Sequence, residues 1–334
     1  MQATDQNTDV LIVGAGMAGV MAAVELQRMG FRVLVLDKGR GVGGRMSSRR
    51  VGGATFDHGA QFIAARDPRF AAVLERERRD GSVEPWFRGS KGRMDGPMHW
   101  RGRPAMSAVP GHLALGLDIQ LETSVMAVRG EGNCWRAETA TGRSITAGAV
   151  VLTPPVPQSL AILEAGGVTL SPQLYGRLAA IDYDRCLAVL AVLEEPSRIP
   201  PPGGLTLAAG PIRWIADNQL KGISVEPAVT LHATPAFSLE HWDHDRDQVG
   251  RILLDAARPW VAGGIKTFQV HGWRYSQPRR FDEEPCVAVS DAPALLLAGD
   301  AFGGPGVEGA ARSGWAAAEA ILGRCRAFRG SAAA

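Results

Sequence analysis

The sequence predicts an α/β fold, and three separated stretches predict it. Residues 9–13, Asp-Val-Leu-Ile-Val, form a short apolar run that passes through Gly14-Ala15-Gly16-Met17-Ala18-Gly19 into 20–29, a stretch of helical composition. A second apolar run, 31–36, ends at Asp37. A third, Leu295-Leu296-Leu297-Ala298-Gly299-Asp300, lies near the far end of the chain. A strand that returns so late makes the domain it belongs to discontinuous.

The first stretch is a strand, a glycine turn and a helix in the order a dinucleotide requires. Gly14 permits the tight turn, Gly16 lets the backbone approach a pyrophosphate, and Gly19 allows close packing of helix on strand. The unpaired N–H groups of the helix start then face the phosphates. Asp37, eighteen residues after Gly19, stands where a carboxylate accepts ribose hydroxyls. NAD and FAD are served equally so far. Gly43-Gly44-Arg45, just past the second strand, and Asp300 tip the balance to a flavin. The longer FAD molecule needs another carboxylate or N–H for its ribityl and pyrophosphate oxygens, and Asp300 is the candidate. Beyond it, 302–308 is Gly-rich and 309–324 has helical composition, with Gly309, Ala310 and Ala311 small enough for close approach. A helix start aimed at the flavin pyrimidine edge stabilises negative charge on the reduced ring.

Between these ends, 68–79 is expected to be helical and 86–111, rich in Gly, Pro, Met and Trp, to form strand and turn. Residues 121–130 and 134–140 resemble paired strands around a Gly-containing turn. The buried-type strand at 150–152 is stopped by Pro154-Pro155, which cannot continue a central ladder. Further on, 186–193 and 229–234 suggest sheet, 200–202 a stiff link and 243–257 a helix. Trp214, Trp242, Trp260 and Trp273 lie in this part, where aromatic rings line a pocket or simply fill a core. The expected division is a nucleotide-binding domain of 1–66, 112–157 and 287–330, and a substrate domain of 67–111 and 158–286.

Composition excludes several classes. The 334 residues, 46% hydrophobic, suit two domains, and a net charge of +2 leaves no electrostatic footprint for nucleic acid. Residues 10–24 are uncharged, but Asp5 and Asp9 precede them, the stretch is shorter than a membrane span, and its glycines have a role in the turn. No membrane association and a cytoplasmic location are expected. Cys134, Cys186, Cys286 and Cys325 are scattered without Cys-x-x-Cys spacing, so reduced thiols are expected, with neither a disulfide framework nor a metal site.

The set Gly14–Gly19, Asp37-Lys38, Gly43-Gly44-Arg45-Met46, Asp57-His58-Gly59-Ala60-Gln61-Phe62, Val151-Leu152-Thr153-Pro154-Pro155, Ala298-Gly299-Asp300 and Val307-Glu308-Gly309-Ala310 resembles the flavin-containing amine oxidase superfamily. Within it, Gly43–Ser48 with Asp57–Phe62, and the later Trp214, Asn218, Leu231-His232-Ala233-Thr234 and Trp273-Arg274-Tyr275, are most similar to the renalase family, particularly its bacterial members. The resemblance implies an FAD-binding Rossmann-like domain of the GR2 type and an α+β substrate domain with an antiparallel sheet. It also implies FAD contacts at Gly14, Gly16, Ala18, Gly19, Asp37, Lys38, Gly44, Arg45, Gln61, Phe62, Val125, Gly299, Asp300, Val307, Gly309 and Ala310.

Two features depart from an ordinary amine oxidase. The lysine that many of these enzymes place near flavin N5 has no good match, since Lys221 lies in a turn-like context and Lys266 follows two glycines. The surroundings of Cys286, fourteen residues before Asp300, do not match a covalent attachment site, so noncovalent FAD is expected. The resemblance implies oxidation of 2- or 6-dihydroNAD(P) to NAD(P)+, by hydride transfer to flavin N5 and reoxidation by O2 to give hydrogen peroxide. Such a donor regenerates an aromatic pyridinium, so no N–H proton has to be removed. Trp214, Asn218, His232, Trp273 and Tyr275 are the pocket candidates, with no residue assigned as acid or base. Oxidation of an amine or desaturation of another small molecule, and a flavin-binding protein without turnover, remain open at this point.

Overall fold

The computed structural model describes residues 6–90, 93–261 and 263–331. The chain forms two compact units: 1–44 with 110–182 and 278–334, and 45–109 with 183–277.

The first unit is built on a mixed eight-stranded sheet. Gln6–Val13 is flanked in parallel by Val33–Leu36 and Ser144–Leu152, and the latter pairs in parallel with Ala294–Leu297. Val10, Leu11 and Ile12 are completely buried, as expected of a parallel strand covered on both faces. Asp118–Gln120 and Val287–Asp291 close the edges, and the Val125–Glu131 and Cys134–Thr139 hairpin adds antiparallel pairing. Helix Met17–Arg28 packs against helix Gly306–Ser331 so closely that a side chain at Gly314 would collide with the Ala18 carbonyl. Their apolar faces join the central strands in one core around Ala22, Leu26, Val151, Leu296 and Ile321.

The second unit carries a five-stranded sheet in the order Gly204–Thr206, Ile212–Asp217, Ala228–Ala233, Tyr183–Leu193 and Ile265–Pro278. Alternation along Tyr183–Leu193 assigns its two faces. Leu187, Val189, Ala191 and Leu193 meet Val249, Leu253 and Leu254 of helix Arg246–Ala256. Leu190 and Val192 meet Ala54 and Phe56 on the other side. That second layer is the hairpin of Ser48–Val51 and Ala54–Asp57. A three-stranded sheet of Ile63–Ala64, Arg93–Gly102 and Val83–Ser90 follows in the same unit. Helix Pro68–Arg79 starts where expected, because Pro68 fits its first turn and the Asp67 carboxylate accepts from the N–H groups of Arg69 (2.8 Å) and Phe70 (3.2 Å).

The α/β class, the Rossmann-like first unit and the antiparallel second sheet are as expected, while several boundaries move. Met17–Arg28 begins three residues before position 20, since the Val20 N–H already closes a helical bond onto the Gly16 carbonyl at 2.9 Å. Gly306–Ser331 begins inside the expected Gly-rich loop, and Asp300–Gly303 is a short helix of its own. Residues 45–66 group with the second unit because their hairpin packs on its sheet. Residues 158–182 and 278–286 group with the first, where Arg177 forms a two-pronged pair with Asp282, both contacts at 2.7 Å.

Candidate functional site

The nucleotide motif has the shape its residues demand. Gly14 takes φ +104, a conformation suited to glycine, and its carbonyl accepts from the Thr153 hydroxyl at 3.2 Å, the same hydroxyl lying 2.8 Å from the Val13 carbonyl. A side chain at Gly19 would strike the Gly14 carbonyl, which accounts for the third glycine by packing. A Cβ at Gly16 would meet no protein atom within 4 Å. The space in front of Gly16 is therefore open, and the helix behind it begins without a side-chain cap. An uncapped helix start of this kind has the N–H groups and dipole to hold an anion.

Asp37 sits at the end of Val33–Leu36 with one carboxylate oxygen on the Ala15 N–H and the other on the Gly39 N–H, both at 2.6 Å. The acid is thereby fixed beside the glycine turn. Lys38 is exposed and reaches Gln158 Oε1 at 3.4 Å. Val125 is buried at the start of its strand. Asp300 is buried directly after Gly299, whose N–H donates to the Ser313 hydroxyl at 2.8 Å. Ala18 is buried in the first helix, and Val307, Gly309 and Ala310 lie in the first turns of the last one. Gly309 abuts the Gly304 carbonyl, a packing reason for its lack of a side chain. Gly14, Gly16, Asp37, Gly44 and Asp300 all belong to the first unit, so the nucleotide candidates there share one scaffold.

The second unit gathers the other candidates around the segment Asp57–Phe62. Trp214 and His232 are direct neighbours across the Ile212–Asp217 and Ala228–Ala233 strands. The His58 carbonyl accepts from Trp273 Nε1 at 2.8 Å and lies 3.0 Å from His232 Nε2. A carbonyl only accepts, so Nε2 is the protonated nitrogen of a neutral His232 ring. Gln61 is buried, with its amide nitrogen 2.6 Å from the Asp57 carbonyl and its Oε1 3.3 Å from Trp214 Nε1. Phe62 packs edge-on against His99 at 4.4 Å and lies 5.7 Å from the Trp214 ring.

Beneath this segment lies a buried ion pair that the sequence reading did not single out. Lys221 Nζ donates to Asp57 Oδ2 at 2.7 Å and to the Gln61 carbonyl at 2.6 Å, and both charged side chains are fully buried. Ser48 Oγ (2.7 Å) and the Met106 N–H (2.9 Å) satisfy the other Asp57 oxygen. The turn delivering Lys221 is made by Asp217, whose carboxylate caps the N–H groups of Gln219 and Leu220. Burial lowers the Lys221 pKa while Asp57 opposes the shift. The available sequence signal was the turn pattern at 217–222 in a chain with only four lysines.

Two imidazoles complete the group. His58 and His271 meet edge-on at 4.9 Å, and Trp273 lies 5.1 Å from His58 and 4.4 Å from His271. Burial holds His58 down to about 3 and His232 and His271 to about 4, with neighbouring positive charge acting in the same direction. All three rings are neutral at physiological pH.

Asn218 and Tyr275 have other partners. Asn218 is wholly buried, its side-chain amide nitrogen 3.0 Å from Thr230 Oγ1, while its backbone carbonyl accepts from the N–H groups of Ile223 and Ser224. Tyr275 meets Tyr183 edge-on at 5.5 Å, and the carbonyls of Tyr275 and Ser276 accept from Arg45 at 3.4 and 3.3 Å. Cys134, Cys186 and Cys286 are free thiols, as expected, and the side chain of Cys325 lies outside the described residues. No described helix is long and apolar enough to cross a membrane.

Comparison with known proteins agrees with this architecture. Residues 12–76 match the NAD(P)-binding Rossmann-like domain, and residues 86–322 match the model described as flavin containing amine oxidoreductase. Mouse renalase is 27% identical over 319 residues, covering 88% of this chain and 92% of renalase. Putrescine oxidase from Kocuria rosea is 40% identical over 81 residues, only 22% of this chain and 17% of that protein. A solved structure of a putrescine oxidase triple mutant superposes with a TM-score of 0.73 at 14% identity, covering 96% of this chain and all of that one, a likeness of fold. The family and the Rossmann-like domain together imply a flavin cofactor. With the glycine cradle and acids of its first unit and a family match spanning more than two thirds of its length, the chain belongs to the flavin containing amine oxidoreductase family, as a renalase-like member.

Proposed function

We propose that the protein is an FAD-dependent oxidase of isomeric 2- or 6-dihydroNAD(P), yielding NAD(P)+ and hydrogen peroxide. The observation that carries this reading is the protonic silence of the Trp214, His232 and Trp273 group. Its three histidines are neutral, and its two ions, Lys221 and Asp57, are spent on each other and on the backbone. An amine substrate requires a proton to leave nitrogen, whereas a dihydropyridine becomes an aromatic cation on losing hydride alone. The group supports the second chemistry: planar indoles to orient a planar ring, beside imidazoles whose lowered pKa makes them weak bases.

By resemblance to the family, Gly14, Gly16, Ala18, Gly19, Asp37, Lys38, Gly44, Arg45, Gln61, Phe62, Val125, Gly299, Asp300, Val307, Gly309 and Ala310 are the proposed FAD contacts. Bound FAD supplies the hydride acceptor and passes the electron pair to O2. Burial pushes the Cys286 thiol up to about 11, so thiolate is scarce there, which supports noncovalent attachment. Trp214 and Trp273 would orient the dihydronicotinamide, with His232 holding the His58 carbonyl in place. Asn218 and Tyr275 are proposed to shape the pocket from behind its lining.

Acid precipitation should leave the yellow chromophore in the supernatant, and a yellow pellet would mean covalent flavin. Anaerobic mixing with 2-dihydroNAD, 6-dihydroNAD, ordinary NADH and a panel of amines tests the substrate. Fast bleaching is expected with a 2- or 6-dihydro isomer. Faster bleaching by an amine would replace this reading with amine oxidation.

A further inference from the structure

We propose that Lys221 is a positioning residue for Trp214, so that a buried ammonium outside the proton chemistry sets the surface on which the substrate ring rests. This deepens the reading above, since it takes Trp214 as a substrate contact. Lys221 Nζ is a hub with three neighbours: Asp57 Oδ2 at 2.7 Å, the Gln61 carbonyl at 2.6 Å and the Trp86 ring at 4.8 Å.

Two routes lead from this hub to Trp214. The first runs through Gln61, whose amide nitrogen is held by the Asp57 carbonyl at 2.6 Å, leaving Oε1 aimed at Trp214 Nε1 at 3.3 Å. The second runs through Trp86, which is pinned by its own Nε1 to the Pro202 carbonyl at 2.8 Å and meets Trp214 edge-on at 6.3 Å. A Cβ at Gly204 would collide with the Trp214 indole and crowd that of Trp86 at 3.0 Å, so a glycine there leaves room for the two rings. Lys221 thus fixes one indole by its polar atom and by its ring at once.

A buried ion pair is poor evidence for stability, because an apolar pair of similar shape often serves as well. What an apolar pair lacks is direction. An ammonium commits its donors to chosen acceptors, and here those acceptors are the carboxylate that receives the Ser48 hydroxyl and the carbonyl of the residue that orients Trp214. The pair therefore specifies geometry, and its effect is expected in the rate of hydride transfer, where small misplacements are heavily penalised.

The test is a mutant cycle on the flavin-loaded protein, read by anaerobic flavin reduction with the best dihydronicotinamide donor. Asp57→Asn/Lys221→Met removes both charges together and should retain flavin and wild-type melting within a few degrees. It should lower the maximal reduction rate about tenfold or more. Trp214→Phe alone should have a loss of the same order, and adding it to the double variant should change the rate by less than about twofold, the non-additivity of residues acting through one another. A wild-type rate in the double variant, or losses that multiply, would overturn the proposal. Trp86→Phe provides an arm that leaves the ion pair intact and does not depend on the double variant folding. Its rate should fall about threefold in the wild-type background and not in the Trp214→Phe background, and a fall in both, or in neither, overturns the proposal. If no dihydronicotinamide reduces the wild-type flavin, the substrate reading fails on that result alone. The cycle is then run with whichever amine does, and coupling of Lys221 to Trp214 supports the positioning role independently.

Discussion

Lys221 Nζ and Asp57 Oδ2 lie 2.7 Å apart, 164 residues apart in sequence, with neither side chain reaching solvent. Removing one partner leaves the other as an uncompensated buried charge. Lys221→Met is therefore expected to destabilise the protein by about 3–5 kcal/mol. Asp57→Asn/Lys221→Met should recover most of that loss. Denaturant unfolding of the two variants checks this, and equal losses would show that the charge itself is not what is expensive.

The histidines give a pH dependence with a definite sign. In the folded protein His58 titrates at about 3 and His232 and His271 at about 4, against 6.5 for an ordinary histidine. Below 6.5 the unfolded chain binds protons that the folded protein refuses, so stability falls with pH. It is complete above about pH 6.5 and declines through the window down to about pH 3. Melting temperature should follow that course. The flavin reduction rate should stay flat above about pH 5, where all three rings are neutral, and a break near pH 6–7 would show that one of them titrates normally.

Gly16→Val isolates cofactor binding from folding. The position has φ −76 and open space where the side chain would project. The variant should fold and melt like flavin-free wild type yet purify colourless, because the added methyls occupy the phosphate cradle. Absorbance at 450 nm beside circular dichroism separates the two effects. A yellow variant would move the pyrophosphate elsewhere.

Arg45→Ala tests a role that contacts within the second unit leave open. The guanidinium is shared by the Tyr275 and Ser276 carbonyls. If it also meets the cofactor phosphate, loss of a charge-assisted hydrogen bond should weaken flavin binding by about 1.5–3 kcal/mol, measured by titrating stripped protein with FAD. Unchanged affinity would make Arg45 a strand clamp alone.

Much of the fold was legible in the sequence because its signals are local. The apolar run before Gly14 and the glycines' spacing identify a strand, a turn and a helix without reference to distant residues, and Asp67-Pro68 marks a helix start by the same logic. Boundaries slipped where the motif itself is helical: Ala18 and Gly19 read as turn residues, yet backbone bonding draws them into the helix. Trp214, His232 and Trp273 were readable as candidates from residue type, and the structure brings all three to one segment.

What the sequence by itself determined was the α/β class, the strand, glycine turn and helix of the Rossmann-like unit, and the aromatic content of the later part of the chain. Tertiary structure alone decided that Lys221 is an internal brace, that Asn218 builds a turn, and that three histidines are neutral. The physical reason is range. A glycine turn or a helix cap is settled by neighbours a few residues away, whereas an ion pair and the desolvation of an imidazole depend on side chains that only folding brings together.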